Sequence, residues 1–109
     1  MKVLNIEWST GSMNLIVDEF FPCSVADAKI VFDLVGRWCS DETIEELKKY
    51  FDGKIKDISS EINRIEYVII PKVGDTTKVE ELKRIRYFNS LMKKYIKMLE
   101  LLQKCTQRK

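Results

Sequence analysis

Carboxylates are the first side chains in this chain that could do chemistry. Glu42, Glu45, Glu46, Asp52, Asp57 and Glu61 lie in one segment. Acids that converge on one face can hold a hard cation or cleave a glycosidic bond. These ones scatter around a helix and alternate with Lys48, Lys49, Lys54 and Lys56, which is the pattern of a solubilising surface. Cys23, Cys39 and Cys105 are widely spaced, odd in number and form no C-x-x-C pair. They read as reduced thiols in a reducing compartment, not as a disulfide framework or a four-thiolate zinc site. Histidine is absent, which removes the commonest general base and transition-metal ligand and rules out Ser-His-Asp and Cys-His catalysis. Neither a G-x-x-x-x-G-K nor a G-x-G-x-x-G loop occurs, so no phosphate-cradling turn is encoded. The residues point away from catalysis, and no metal or cofactor is expected.

Cations are placed with more order. Residues 71–109 hold eleven Lys or Arg and four Asp or Glu (11 − 4 = +7). Residues 1–40 sum to 3 − 5 = −2 and residues 41–70 to 5 − 8 = −3, so the net +2 conceals a basic C-terminal third on an acidic body. At about 100° per residue, Lys83, Arg86, Lys93, Lys94, Lys97, Lys104 and Arg108 fall in one arc opposite the apolar residues of the same segment. Only Glu100 borders that arc. A basic stripe on an amphipathic helix suits a phosphate backbone, a membrane surface or an acidic protein groove. The alternative is a solvated lysine face without a partner. No helix-turn-helix spacing, aromatic RNA-binding strand or G-x-x-G clamp accompanies the stripe, so sequence-specific reading is not indicated. Among the aromatics, Phe20 and Phe21 are consecutive and cannot both point inward from an extended segment. Tyr50 and Tyr67 fall off the apolar arc of their helix. These four are the candidate interface aromatics.

Several elements must position these residues. Leu4, Ile6 and Trp8 alternate with Val3, Asn5 and Glu7, and Met13, Leu15 and Val17 alternate in turn, which predicts two strands over 3–8 and 13–18. Ser9-Thr10-Gly11-Ser12 would be a four-residue hairpin loop. Pro22 keeps Phe21 extended. Ser24 then caps a helix over 25–38, with Ile30, Leu34 and Trp38 in one row and Val31 and Val35 in the next. Gly36 weakens the end of that helix by about 1 kcal/mol relative to Ala. Ser40 caps a long helix to about residue 70, in which Ile44, Leu47, Phe51, Ile55, Ile58, Ile62, Ile65 and Ile69 share an arc of about 80°. The arc stays in phase across Gly53, where the helix is read as continuous, bent or split in two. After the loop 71–76, Thr77 and Glu80 form a capping box that opens a last helix to about residue 105.

The reading is therefore one α+β domain over 1–109. It comprises an N-terminal β-hairpin (1–22), one short helix (24–39) and a long antiparallel helical hairpin built from helices 41–70 and 77–106. An apolar half-cylinder on the last helix is wider than one partner helix covers, so either the N-terminal elements or a second copy must cover the rest. Asn5 and Glu7 interrupt any leader-like apolar run, and no segment has the roughly 20 apolar residues of a membrane span. A cytoplasmic protein without membrane contact is expected.

In size, in Lys/Ile/Glu-rich composition, and in the stretches Asn5-Ile6-Glu7-Trp8-Ser9-Thr10-Gly11-Ser12 and Asp18-Glu19-Phe20-Phe21-Pro22-Cys23, the chain resembles small proteins of mobile elements in low-GC Gram-positive bacteria. It is similar in particular to anti-CRISPR proteins acting on type II-A systems. That group shares a role and not a sequence pattern, so no functional residue carries over. The resemblance implies a non-enzymatic inhibitor that docks on an RNA-guided nuclease or on its nucleic acid. The basic helix departs from the acidic DNA mimics found there. A general nucleic-acid-binding protein and a helical homodimer are the alternative readings.

Overall fold

A computed structural model describes residues 2–107. The chain opens with β1 (Val3–Trp8) and β2 (Gly11–Ile16), which pair antiparallel with Leu4 opposite Leu15, Ile6 opposite Met13 and Trp8 opposite Gly11. The loop is thus the two residues Ser9-Thr10, and β2 begins two residues earlier than its alternation suggests. Gly11 accounts for the shift. A Cβ there would lie 3.1 Å from the Trp8 indole, a tight contact, so glycine lets the ring lie across the strand end without giving way. Val17 leaves the sheet as the first residue of a single turn, α1 (Val17–Phe20), which the sequence reading did not foresee.

Phe21 is extended, as the following proline requires, and the Phe21–Pro22 peptide is cis. Ser24 and Ser40 cap the next two helices: Ser24 Oγ accepts from the Asp27 amide at 3.1 Å and Ser40 Oγ from the Thr43 amide at 3.2 Å. They open α2 (Val25–Trp38) and α3 (Asp41–Arg64). α3 passes Gly53 without interruption. Beyond Arg64 the helix widens into a π turn over Ile65–Ile69 and then tightens into a 3-10 turn over Ile70–Lys72. Pro71 supplies the physical reason, because it lacks the amide an α-helix would need there and its ring crowds the carbonyl four residues back. The last helix, α4 (Asp75–Thr106), starts before the Thr77 box, with Gly74 at its N-cap and no side-chain cap bond. Asp75 in its first turn suits the positive end of the helix.

α4 is the element on which the others meet. α3 packs antiparallel along it, and α2 packs against its C-terminal part. The approach of α2 is close: a Cβ on Gly36 would sit 2.8 Å from the Cys105 carbonyl oxygen. Where these helices meet the hairpin exit, the rings of Phe21, Phe32, Phe51 and Tyr95 form the centre of the core. Phe21 stacks on Phe32 at 5.5 Å and stands edge-on to Phe51 at 5.0 Å. Ile44, Leu47, Phe51, Ile58, Ile62 and Ile65 of the predicted stripe are buried, and Ile55 and Ile69 are partly buried against them. The N-terminal elements cover the apolar half-cylinder at one end. The remaining lengths of α3 and α4 run out as a two-helix arm, in a molecule measuring 59 × 23 × 18 Å.

The structure decides which of the two rows of α2 faces the core, a choice the sequence reading left open. The core face is Ala28, Val31, Phe32 and Val35. The row Ile30–Leu34–Trp38 faces outward, with Ile30 63% and Trp38 47% exposed.

Candidate polyanion-binding face

α4 is 32 residues long, or about 48 Å at 1.5 Å per residue. Its buried residues (Ile85, Tyr95, Met98, Leu101, Leu102 and Thr106) fix which side faces α2 and α3. The opposite side carries Lys83, Arg86, Lys93, Lys94, Lys97 and Lys104, all exposed. Arg108 lies outside the described residues.

These cations are not equivalent. Lys83 Nζ lies 3.5 Å from Glu80 and is partly neutralised, a pairing the sequence reading did not include. Arg84, just off the stripe, pairs with Glu81 at 2.9 Å and reaches Glu61 on α3 at 3.6 Å. The same Glu61 accepts from Arg64, and that hydrogen bond holds its carboxyl below the ordinary value. Glu61, Glu80 and Glu81 are thus spent on Arg64, Arg84 and Lys83. Among the described residues, Arg86, Lys93, Lys94, Lys97 and Lys104 make no ion pair. They extend over about 27 Å of helix.

At its C-terminal end the stripe meets α2. Leu101 lies in the arc of the cations but is buried because α2 covers it. Lys104 therefore borders a groove with Lys29 and Asp33 of α2, floored by Leu101 and Cys105. Lys29 adds a second element to the basic surface. Its own sequence neighbourhood gives no hint of this. The one available signal was Gly36, a residue without a side chain at a helix position where another backbone approaches.

The candidate aromatics separate clearly. Phe21 is a core residue at 2% exposure and is unavailable to a partner, which corrects its place among interface candidates. Phe20 is half-buried and packs edge-on against it at 4.9 Å. Tyr50 is half-buried and donates its hydroxyl to Asp18 at 2.7 Å, with Lys54 4.0 Å from the same carboxylate. Burial first, and then this hydrogen bond, pushes the Tyr50 phenol well above its ordinary value. It serves to tie α1 to α3. Tyr67 is 74% exposed on the arm, where Tyr87, Val79 and Leu82 are exposed too. The last two continue the line of the basic stripe towards the tip, a feature the charge pattern hid.

The acids Glu42, Glu45 and Glu46 border an open depression with Asp41 and Lys49, while Asp52 pairs with Lys56 at 3.0 Å. Among the described residues no group of three or more acids or cysteines is placed to hold a metal ion. Burial, then the neighbouring Asp27, pushes the Cys23 thiol above its ordinary value, which disfavours the reactive thiolate. No helix among the described residues is long and apolar enough to cross a membrane. The chain is thus an α+β fold with one strongly cationic helix face. Neither protein-family models, curated proteins nor solved structures give a match to the chain.

Proposed function

We propose that this is a non-catalytic binding protein that docks the basic side of α4 on a phosphate-bearing target. The observation that carries the reading is the row of cations from Arg86 to Lys104 without ion-pair partners among the described residues. On an inert helix, Lys more often pairs with Glu one turn away, as Lys83 does here. Taken with the resemblance to type II-A anti-CRISPR proteins, the target is the complex of an RNA-guided nuclease with its guide RNA, and the outcome of docking is inhibition. The cations supply contact to the RNA or DNA backbone that the complex exposes. The acidic remainder of the chain keeps free nucleic acid from wrapping the protein. Val79 and Leu82, exposed at the tip end of the same line, add apolar contact with the protein part of the target.

The test is a target-DNA cleavage assay with a purified type II-A nuclease–guide-RNA complex, alongside binding to the guide RNA alone. Wild type is expected to inhibit cleavage and to bind free RNA weakly. Lys93, Lys94 and Lys97 replaced together by Glu should lose inhibition while keeping the wild-type melting temperature. Wild type that leaves cleavage untouched but binds free RNA or DNA tightly would replace this reading with a general nucleic-acid-binding one. Equal behaviour of wild type and the triple variant in both assays would leave the stripe as a solvated face and overturn the proposal.

A further inference from the structure

The β-hairpin is covered on one strand and open on the other. Leu4 and Ile6 of β1 are buried, whereas their cross-strand partners Leu15 and Met13 on β2 are only partly so. α2 packs against β1, while β2 packs on β1 and α1. Asn14, Leu15 and Ile16 line a shallow depression together with Glu19 and Phe20 of α1. Consecutive strand residues point to opposite faces, so a depression lined by three in a row lies along the strand's edge. The backbone bonding agrees. The Val17 amide donates to the Lys2 carbonyl at 3.0 Å. By the antiparallel alternation Leu15 and Met13 also bond to β1, and Ser12, Asn14 and Ile16 turn their amides away from it. Exposed edges are ordinarily guarded by charge, proline or a bulge. β1 carries Glu7, but Gly11–Ile16 has no charged residue and no proline, and its register with β1 is unbroken.

We infer that β2 is the contact of a homodimer, in which β2 of a second copy pairs with it antiparallel and the two hairpins join into one four-stranded sheet. What selects a second copy is the register. Antiparallel partners must meet with outward-turned residues opposite one another. Only the two-fold pairing centred on Asn14 opposite its own copy uses all three, because it also sets each Ser12 opposite the other Ile16. The same register sorts the side chains. The two-fold axis stands normal to the sheet, so the core faces of both copies lie on one side. Across the four strands one core-face row then reads Leu4, Leu15, Met13, Ile6, and its symmetry mate the reverse. The half-covered Met13 and Leu15 thereby gain each other's copies as cross-strand neighbours. On the outer face the existing Asn5–Asn14 pair extends into a row of four amides, Asn5, Asn14, Asn14, Asn5, which hydrogen-bond along such ladders. An uncharged strand paired with itself sets no like charges opposite one another, and the second copy's Thr10 and Gly11, passing the depression, bring none to Glu19. A second copy supplies this matching pattern by symmetry. The inference stands independently of what α4 binds.

A strand of 6 residues makes a contact well short of a standard interface. Dissociation constants on the order of 10–100 µM are expected. The experiment is sedimentation velocity on the full chain from about 1 µM to about 500 µM. Mass should rise from monomer to dimer over that range. Asn14→Pro removes the outward amide at the centre of the contact and no bond to β1, so it should remain monomeric throughout. Asn14→Lys and Asn14→Asp each set like charges opposite one another and should weaken association about fivefold or more. An equimolar mixture of those two variants should associate to within about twofold of wild type, because Lys then faces Asp across the axis. Asn14 is exposed in the monomer, so circular dichroism should show unchanged folds. A wild type that stays monomeric overturns the inference and leaves the edge to a strand of another protein or to none. So does an Asn14→Pro variant that still dimerises, which would place the contact elsewhere, or a mixture that associates no better than its two components.

Discussion

Two glycines in helices, replaced in turn by alanine, give opposite expectations from the same chemical change. A glycine in a helix interior is less favourable than alanine by about 1 kcal/mol. At Gly53, in the middle of α3, a new Cβ would meet no atom within 4 Å. Gly53→Ala should therefore gain most of that amount, a rise in melting temperature of about 4–8 °C. At Gly36 the same methyl would be built 2.8 Å from the Cys105 carbonyl oxygen. The obstacle is backbone, which cannot turn aside as the end of a side chain would. Overpacking of this kind costs about 1–3 kcal/mol, which outweighs the propensity gain. A net loss of about 1 kcal/mol, or roughly 5 °C, is expected. Thermal melts followed by circular dichroism at 222 nm, checked by urea titration, would read the difference of about 2 kcal/mol between the two variants. If Gly36→Ala melted at or above Gly53→Ala, the close crossing of α2 on α4 would be refuted, and with it the groove that brings Lys29 beside Lys104.

Phe51 is fully buried, with Phe21, Phe32, Tyr50 and Tyr95 around it. Phe51→Ala should destabilise by about 3–5 kcal/mol, visible as a large drop in the urea midpoint. Ile58 is 7% exposed between the long helices, so Ile58→Asp buries an uncompensated charge at a cost of several kcal/mol, and an unchanged melting profile would contradict the helical hairpin. The phenol of Tyr50 has its folded-state pKa raised, by burial first, above the ordinary 10.0. Its contribution to stability is thus present below about pH 10 and is lost as pH rises towards the folded-state value. Tyr50→Phe should be about 1 kcal/mol less stable at neutral pH, and its stability should fall less steeply than that of wild type above pH 10.

What the sequence revealed was mostly local. Ser24 and Ser40 are caps because a hydroxyl two or three residues before an apolar run satisfies amides within the same turn, whatever else the fold does. The Ile44–Ile69 stripe specified a long amphipathic face, and burial follows it closely. Tertiary choices were less accessible. α2 has two apolar rows, Ile30–Leu34–Trp38 and Ala28–Val31–Val35, and periodicity alone does not say which one meets α4. The row with the smaller residues was taken inward because the helices approach closely at Gly36. The start of α4 likewise moved ahead of Thr77, because neither Thr77 nor Glu80 was needed for the cap: Glu80 pairs with Lys83 instead. For the candidate face, the cations were legible from helical projection. Their neutralisation was only partly so, since Arg84–Glu61 bridges two helices, and Lys29 joins the face only through the packing of α2.

The central claim is that the cations of α4 contact phosphate when the protein meets its target. The most direct measurement is the salt dependence of binding to the type II-A nuclease–guide-RNA complex, followed by fluorescence anisotropy of the labelled protein between about 50 and 200 mM salt. If all five cations without ion pairs (Arg86, Lys93, Lys94, Lys97 and Lys104) met phosphates of duplex-like geometry, log K should fall with log salt at a slope near −4.5. That is about 500-fold over this range. With Lys93, Lys94 and Lys97 changed to Glu, at most two such contacts remain and the slope should be no steeper than about −1.8. Wild-type and variant slopes that coincide, at equal affinity, would contradict the account.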